Sequence, residues 1–164
     1  MSTKRRQVYV QRVIFAAQRH RGGLLGKRTI HRFLLGQRRL RCRPPSCSMI
    51  THESPIRPRG DYGSSKAWGE AAARQFVDSS DLSILCLRIG HVTEEDRPMS
   101  VRDYSVWCSQ RDIGQMIALC VAAPADLRFG VFFVVSENKW GYRDINHARQ
   151  VLGFEPQDAA EDYR

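Results

Sequence analysis

Tyr62 and Lys66 stand four residues apart in a stretch rich in helix formers. On a helix that spacing places both side chains on one face, about one turn or ~6 Å apart. An ammonium beside a phenol favours the phenolate over the neutral ring. Such a tyrosine can act as a general acid or base toward a hydroxyl proton, and such a lysine can hold a ribose hydroxyl. The alternative is a surface tyrosine and a surface lysine that meet at helical spacing by chance, because Tyr-x-x-x-Lys alone is a common pattern.

The elements that would position this pair are legible around it. Asp61 can cap a helix running to about Val77, with Ala67, Ala71, Ala72 and Ala73 as good formers. The preceding residues 50–60 (ITHESPIRPRG) read as an extended linker, since Pro55 and Pro58 push their predecessors out of the helical region. Residues 83–89 (SILCLRI) are a continuous apolar run, as expected of an interior parallel strand. Ser109, Gln110, Arg111 and Asp112 resemble a capping box with Asp in place of the usual Glu or Gln. The helix they open carries Ile113, Met116, Ile117, Cys120 and Val121 on one face and stops before Pro124. Residues 130–135 (GVFFVV) form another buried strand. A last helix over 143–152 turns Ile145, Ala148, Val151 and Leu152 inward and ends at Gly153. Upstream, residues 8–17 (VYVQRVIFAA) read as a strand, and residues 18–48, Arg-rich and without an acid, as loop or weak helix. Strands alternating with helices argue for an α/β layer with a largely parallel sheet.

The chain has 164 residues, enough for one domain of ordinary size. At 42% hydrophobic and 26% charged it has a globular composition, and no stretch approaches the ~20 apolar residues of a membrane span. Its net charge of +9 is unevenly placed. Residues 1–60 carry 15 Lys and Arg against Glu53 alone, giving +14, and residues 61–164 carry 11 against 16 acids, giving −5. The five cysteines, Cys42, Cys47, Cys86, Cys108 and Cys120, are odd in number and point to free thiols in a reducing, cytoplasmic setting. A zinc site from His31, Cys42, Cys47 and His52 lacks the usual Cys-x-x-Cys spacing, and no metal site is expected.

Residues 52–70 (HESPIRPRGDYGSSKAWGE) closely resemble the active-site helix of the extended short-chain dehydrogenases, the NAD-dependent epimerase/dehydratase family. That family has Pro, Pro, then Tyr-Gly-x-Ser-Lys-x-x-Gly-Glu, and Pro55, Pro58, Tyr62, Gly63, Ser65, Lys66, Gly69 and Glu70 all match. Leu87, Arg88, Ile89 and Gly90 resemble the strand end beside the nicotinamide. Residues 107–112 (WCSQRD) and 149–156 (RQVLGFEP) resemble two later family segments, in the right order. Within the family the uronate dehydrogenase-like branch is nearest, over residues 50–164 and faintly 8–20. The resemblance implies a partial Rossmann-like, three-layer α/β fold with a mostly parallel sheet, lacking the N-terminal nucleotide-binding half. It implies three stretches: 1–17, a basic start and one strand; 18–49, Arg-rich and irregular; and 50–164, the C-terminal part of the family domain.

By the same resemblance Tyr62 is the catalytic base, and Lys66 binds the nicotinamide ribose and tunes it. Tyr62, Lys66, Ile89 and Gly90 border the cofactor, NAD or NADP. The loop after Gly90 contacts a sugar or sugar-acid substrate. Arg102, five residues before Trp107, falls where that branch places an arginine for the sugar carboxylate, and a guanidinium binds a carboxylate bidentately. The other reading of Arg102 is a solvated loop arginine. His91 stands where the branch usually has Ser. Arg88, at a strand end, reads as a structural ion-pair partner rather than a ligand.

Two departures accompany the match. No G-x-G-x-x-G or G-x-x-G-x-x-G occurs to receive a pyrophosphate on a helix N-terminus. Where the family has its catalytic Ser or Thr, this chain has Ala16 and Ala17, although His20 matches the family's following His. A truncated or frame-disrupted family member, weakly active or inactive alone, accounts for both and for the Arg-rich stretch between matching blocks. Other readings are a non-catalytic family remnant, a homodimer-forming scaffold in which Trp68, Phe76 and the helix over 109–123 lie at an interface or in the core, a basic N-terminal segment contacting nucleic-acid phosphates, and a mitochondrial presequence. No nucleic-acid motif supports the phosphate-contacting reading.

Overall fold

The computed structural model describes residues 49–163 in full, together with two strands upstream of them. The elements are β1 (Gln11–Arg19), β2 (Thr29–Leu35), α1 (Gly60–Ser79), β3 (Leu82–Ile89), α2 (Asp103–Val106), α3 (Gln110–Ala122), β4 (Phe129–Val134), α4 (Asn146–Leu152) and a closing 3-10 turn (Ala160–Tyr163). The sheet order is β2-β1-β3-β4, so β3 is interior.

The α/β layering follows from the period of two along β3. Ile84 and Cys86 pack with Ala73 and Val77 of α1. Leu85, Leu87 and Ile89 point the other way, into a core with Met116 and Cys120 of α3, Phe132 and Val134 of β4, Ala148 and Leu152 of α4, and Phe154. A strand covered on both faces must be apolar on both, which is why residues 83–89 show no alternation. The result is three layers, with helices on each side of the sheet.

β3 and β4 pair in parallel, with Ile84 opposite Phe129 and Ile89 opposite Val134. The largely parallel sheet expected from the sequence holds for this pair alone. β1 runs antiparallel to both β2 and β3. Nine residues separate β1 from β2, short of the dozen or more that a parallel crossover requires. The loop or weak helix expected over 18–48 is a strand at Thr29–Leu35. There the β-branched Thr29 and Ile30 and the aromatic Phe33 suit a pleated ladder. Cys42 and Cys47 lie outside the described residues.

Helix ends carry their own corrections. Residue 59 takes the N-cap position of α1 in extended conformation, and Asp61 sits in the first turn, where a carboxylate complements the positive end of the helix dipole. For α3 the expected cap is present: the Ser109 hydroxyl accepts the Asp112 N–H at 3.0 Å. Asp112 is fully buried, and its carboxylate accepts the Ser136 hydroxyl at 2.5 Å and the N–H groups of Gln157 at 2.7 Å and Asp158 at 3.3 Å. Helix α4 begins at Asn146, three residues later than expected, and Val151 lies on the surface rather than inward. It ends as expected on Gly153 in the left-handed region at φ 69°, with its N–H returned to Arg149 at 3.0 Å.

Candidate active site

The inward stripe of α1 is Val77, Ala73, Glu70, Lys66, read toward its N-terminus. Its character changes as it passes the sheet. Val77 and Ala73 lie in the cluster with Ile84 and Cys86, whereas Glu70 meets Arg88, one residue from the end of β3. α1 therefore runs antiparallel to β3, and the residues before Glu70 extend beyond the Gly90 end of that strand. Lys66 and Tyr62 stand about 6 and 12 Å further along the axis. Lys66 is buried, and its burial pulls the ammonium down from its ordinary value. Its Nζ lies 5.0 Å from the Tyr62 ring centroid, close enough for a cation–π contact.

Helix and strand are clasped by a charged pair. Arg88 Nε and one terminal nitrogen each donate to a Glu70 carboxylate oxygen at 2.9 Å, with both side chains almost wholly buried. This fork-to-fork geometry sets the height of α1 against β3, and so the placement of Tyr62 and Lys66. Arg88 has the structural role expected of it.

At the end of β3 the chain is pinned to α2. The Gly90 N–H donates to Val134 at 2.8 Å, the His91 N–H to Val106 at 2.8 Å, and the Cys108 N–H to His91 at 3.0 Å. Gly90 is required by this packing: a Cβ there would lie 2.2 Å from the Val106 carbonyl oxygen and 2.8 Å from Val135. The Ile89 side chain is 1% exposed and belongs to the core, so only its backbone borders the site. His91 Nδ1 lies 2.7 Å from a carboxylate oxygen of Asp103, whose other oxygen accepts the Met99 N–H at 2.9 Å. Arg102 precedes Asp103 and lies near enough to Arg143 for the two guanidiniums to act on each other. Burial pushes Arg143 down to about 10, with Tyr142 opposing the fall and Arg102 adding to it.

No family model matches the chain. It is 36% identical over 108 residues to the NAD-dependent glucose-6-phosphate dehydrogenase of Haloferax volcanii, across 65% of this chain and 40% of that protein. It is 35% identical over 120 residues to the uronate dehydrogenase of Agrobacterium fabrum, across 73% of this chain and 44% of that protein. The crystal structure of uronate dehydrogenase from Agrobacterium tumefaciens superposes with a TM-score of 0.66 at 34% identity, over 71% of this chain and 42% of that one. The chain is a partial homologue of uronate dehydrogenase and related sugar dehydrogenases. It spans about two fifths of the length of the curated relatives it matches.

In this sugar-dehydrogenase homologue the structure brings Tyr62 and Lys66 together, and sets Ile89, Gly90 and His91 in succession at the end of β3. It does not bring Ala16 and Ala17 to that end. Because β1 is antiparallel to β3, they pair with Leu85 and Ile84 near the start of the strand. His20 and the side chains of residues 1–48 lie outside the described residues. Among the described residues no group of three or more His, Cys, Asp or Glu could hold a metal, and His52 instead stacks on His147 at 3.7 Å. No described helix is long and apolar enough to cross a membrane. Asp103, the partner of His91, was missed by the sequence reading. An irregular loop of eleven residues separates the two, a distance no periodic pattern encodes.

Proposed function

We propose that this chain carries the catalytic-helix portion of an NAD(P)-dependent dehydrogenase of the extended short-chain, epimerase/dehydratase type, acting on a sugar or sugar acid. The observation that carries the reading is the contact between Tyr62 and Lys66, one turn apart on α1 with Lys66 on its inward stripe, beyond the Gly90 end of β3. In this role the Tyr62 phenol takes or returns the proton of the substrate hydroxyl. The Lys66 ammonium holds a ribose hydroxyl and favours the Tyr62 phenolate. The backbone at Ile89 and Gly90 borders the nicotinamide, and His91 and Arg102 meet the sugar.

A nicotinamide cofactor, when bound, supplies the hydride acceptor or donor. The chain's residues fit its ribose end, through Tyr62 and Lys66. They do not fit its pyrophosphate end, since the sequence contains no Gly-rich turn of the dinucleotide type. Weak or absent turnover by the chain alone belongs to this proposal, as do a reducing, cytoplasmic setting and a homodimer using the exposed Trp68 and Phe76 of α1.

Calorimetric titration of the folded chain with NADH tests the reading, followed by a sugar-acid screen. Saturable binding that weakens in Lys66→Met supports it. No binding by a chain that melts cooperatively overturns the cofactor role and leaves a non-catalytic remnant. If turnover is detected, Tyr62→Phe with unchanged rate removes Tyr62 from the mechanism.

A further inference from the structure

His91 is the one histidine among the described residues that lies within 3 Å of a carboxylate, and that carboxylate is buried. Asp103 is 1% exposed, while the His91 side chain is 46% exposed. One Asp103 oxygen accepts the backbone N–H of Met99 at 2.9 Å, so the carboxyl group is already acting as an acceptor. The other, 2.7 Å from His91 Nδ1, then calls for an N–H on that nitrogen. In the neutral ring that hydrogen bond fixes both orientation and tautomer, and leaves Nε2 as the second nitrogen with a lone pair to offer.

The support beneath this pair is rigid. His91 is flanked by the close approach of Gly90 to Val106 and is bridged to Trp107, which is itself fully buried. Asp103 opens α2, and its carbonyl accepts the Trp107 N–H at 2.8 Å. A half-exposed imidazole held by a buried carboxylate on a pinned loop is the arrangement of a preorganised hydrogen-bonding group rather than of a solvated surface histidine. The serine usual at this position in the resembling branch would offer a short hydroxyl with a freely rotating proton. The His91–Asp103 pair offers one acceptor in one direction.

We propose that His91 Nε2 accepts a hydrogen bond from a hydroxyl of the sugar substrate, and that Asp103 is the positioning residue that holds it there. The inference rests on the sugar-dehydrogenase reading above, and deepens it by assigning the substrate group that this loop recognises.

The test is an imidazole and backbone ¹H–¹⁵N NMR titration of the chain at pH 8, with glucose, glucuronate, glucose 6-phosphate and inorganic phosphate as separate probes. The expected result has three parts. His91 carries its proton on Nδ1 in the free chain. Its Nε2 resonance moves with each of the three sugars and not with inorganic phosphate. Asp103→Asn shifts the tautomer and weakens sugar binding on the order of tenfold, the loss of about one good hydrogen bond. His91→Gln, which keeps an acceptor near Nε2, retains more affinity than His91→Ala, with the Gly90 amide as reporter. Movement with glucuronate, glucose 6-phosphate and phosphate but not glucose overturns the proposal in favour of anion binding. So does an unmoved His91, or an Asp103→Asn chain that keeps both tautomer and affinity. The assay needs no cofactor, so a chain that binds NADH but leaves His91 unmoved defeats this inference alone, and sugar binding without NADH binding defeats only the cofactor role.

Discussion

Removing the charge of Glu70 tests whether the α1–β3 clasp is the interaction that holds the catalytic helix. In Glu70→Gln the shape is kept, and the Arg88 guanidinium is left facing an amide. Both 2.9 Å bonds join side chains that are 3% and 5% exposed, so solvent cannot replace the lost carboxylate. Breaking one partner of a buried ion pair costs about 3–5 kcal/mol. Gln keeps one acceptor, and Arg88 retains its weak contact to the His52 carbonyl at 3.5 Å and the Phe133 ring at 5.3 Å, which places the loss near the lower bound, about 3 kcal/mol. For a chain of this size about 1 kcal/mol moves the melting temperature by ~2–4 °C, so the melt should fall by ~6–12 °C. Circular dichroism melts and guanidinium titrations measure it. The double variant Glu70→Leu with Arg88→Met removes both charges and should recover most of the loss, since a buried pair exchanged for apolar groups of similar volume is often neutral. A single-variant loss below ~1 kcal/mol, or a double variant whose loss equals the sum of the singles, would refute the clasp.

Three further outcomes follow from the packing. Gly90→Ala drives a Cβ into the Val106 carbonyl, which belongs to the backbone and cannot swing aside, and should cost about 1–3 kcal/mol or more in a denaturant titration. Ser109→Ala removes the α3 cap and the 2.6 Å bond its hydroxyl donates to Asp158, and should cost about 1–2 kcal/mol by the same measurement, with Asp158 still paired to Arg111. Burial pushes the Cys120 thiol up to about 12 from 9.0. Its folded form thus stays protonated after the unfolded form has ionised. This contribution to stability is whole below pH 9 and declines above it by about 1.4 kcal/mol per pH unit until the folded thiol titrates. Cys120→Ala should show a shallower loss of stability than the parent between pH 9 and 11, and equal slopes would contradict the assignment.

What could be read in the sequence was local or periodic. The apolar run at 83–89, the Ser109 cap, Gly153 and the helix around Tyr62 and Lys66 each announce themselves within a few residues, because strand burial, capping and helical spacing are short-range effects. The interior position of β3 also followed, since a run without alternation must be covered on both faces. What escaped depends on partners remote in sequence. Thr29–Leu35 is a strand by virtue of pairing with β1, in a segment whose arginines conceal the pattern. The antiparallel sense of β1 decides that Ala16 and Ala17 lie by the start of β3, and no residue type there encodes direction. Val151 is expected inward by helical count, but α4 buries only Ala148 and Leu152, one turn apart, and Val151 beside them faces out. The His91–Asp103 pair rests on a loop whose course no pattern predicts. The candidate site was thus visible as a list of residues before its geometry was.

The buried carboxylate of Asp112 bears on how the molecule is made. Two of the groups that satisfy it are backbone N–H groups 45 and 46 residues downstream. During translation α3 can wind and cap itself with Ser109, but its first turn keeps an unsheltered charge until residues 157 and 158 have left the ribosome. Folding of this half is therefore committed late. A nascent chain stalled before that point would hold a hydrated aspartate where the finished protein is dry, and its core would stay open to water and to chaperones. Gln157 and Asp158 act as a latch on the first turn of α3, closed only once that later segment has emerged.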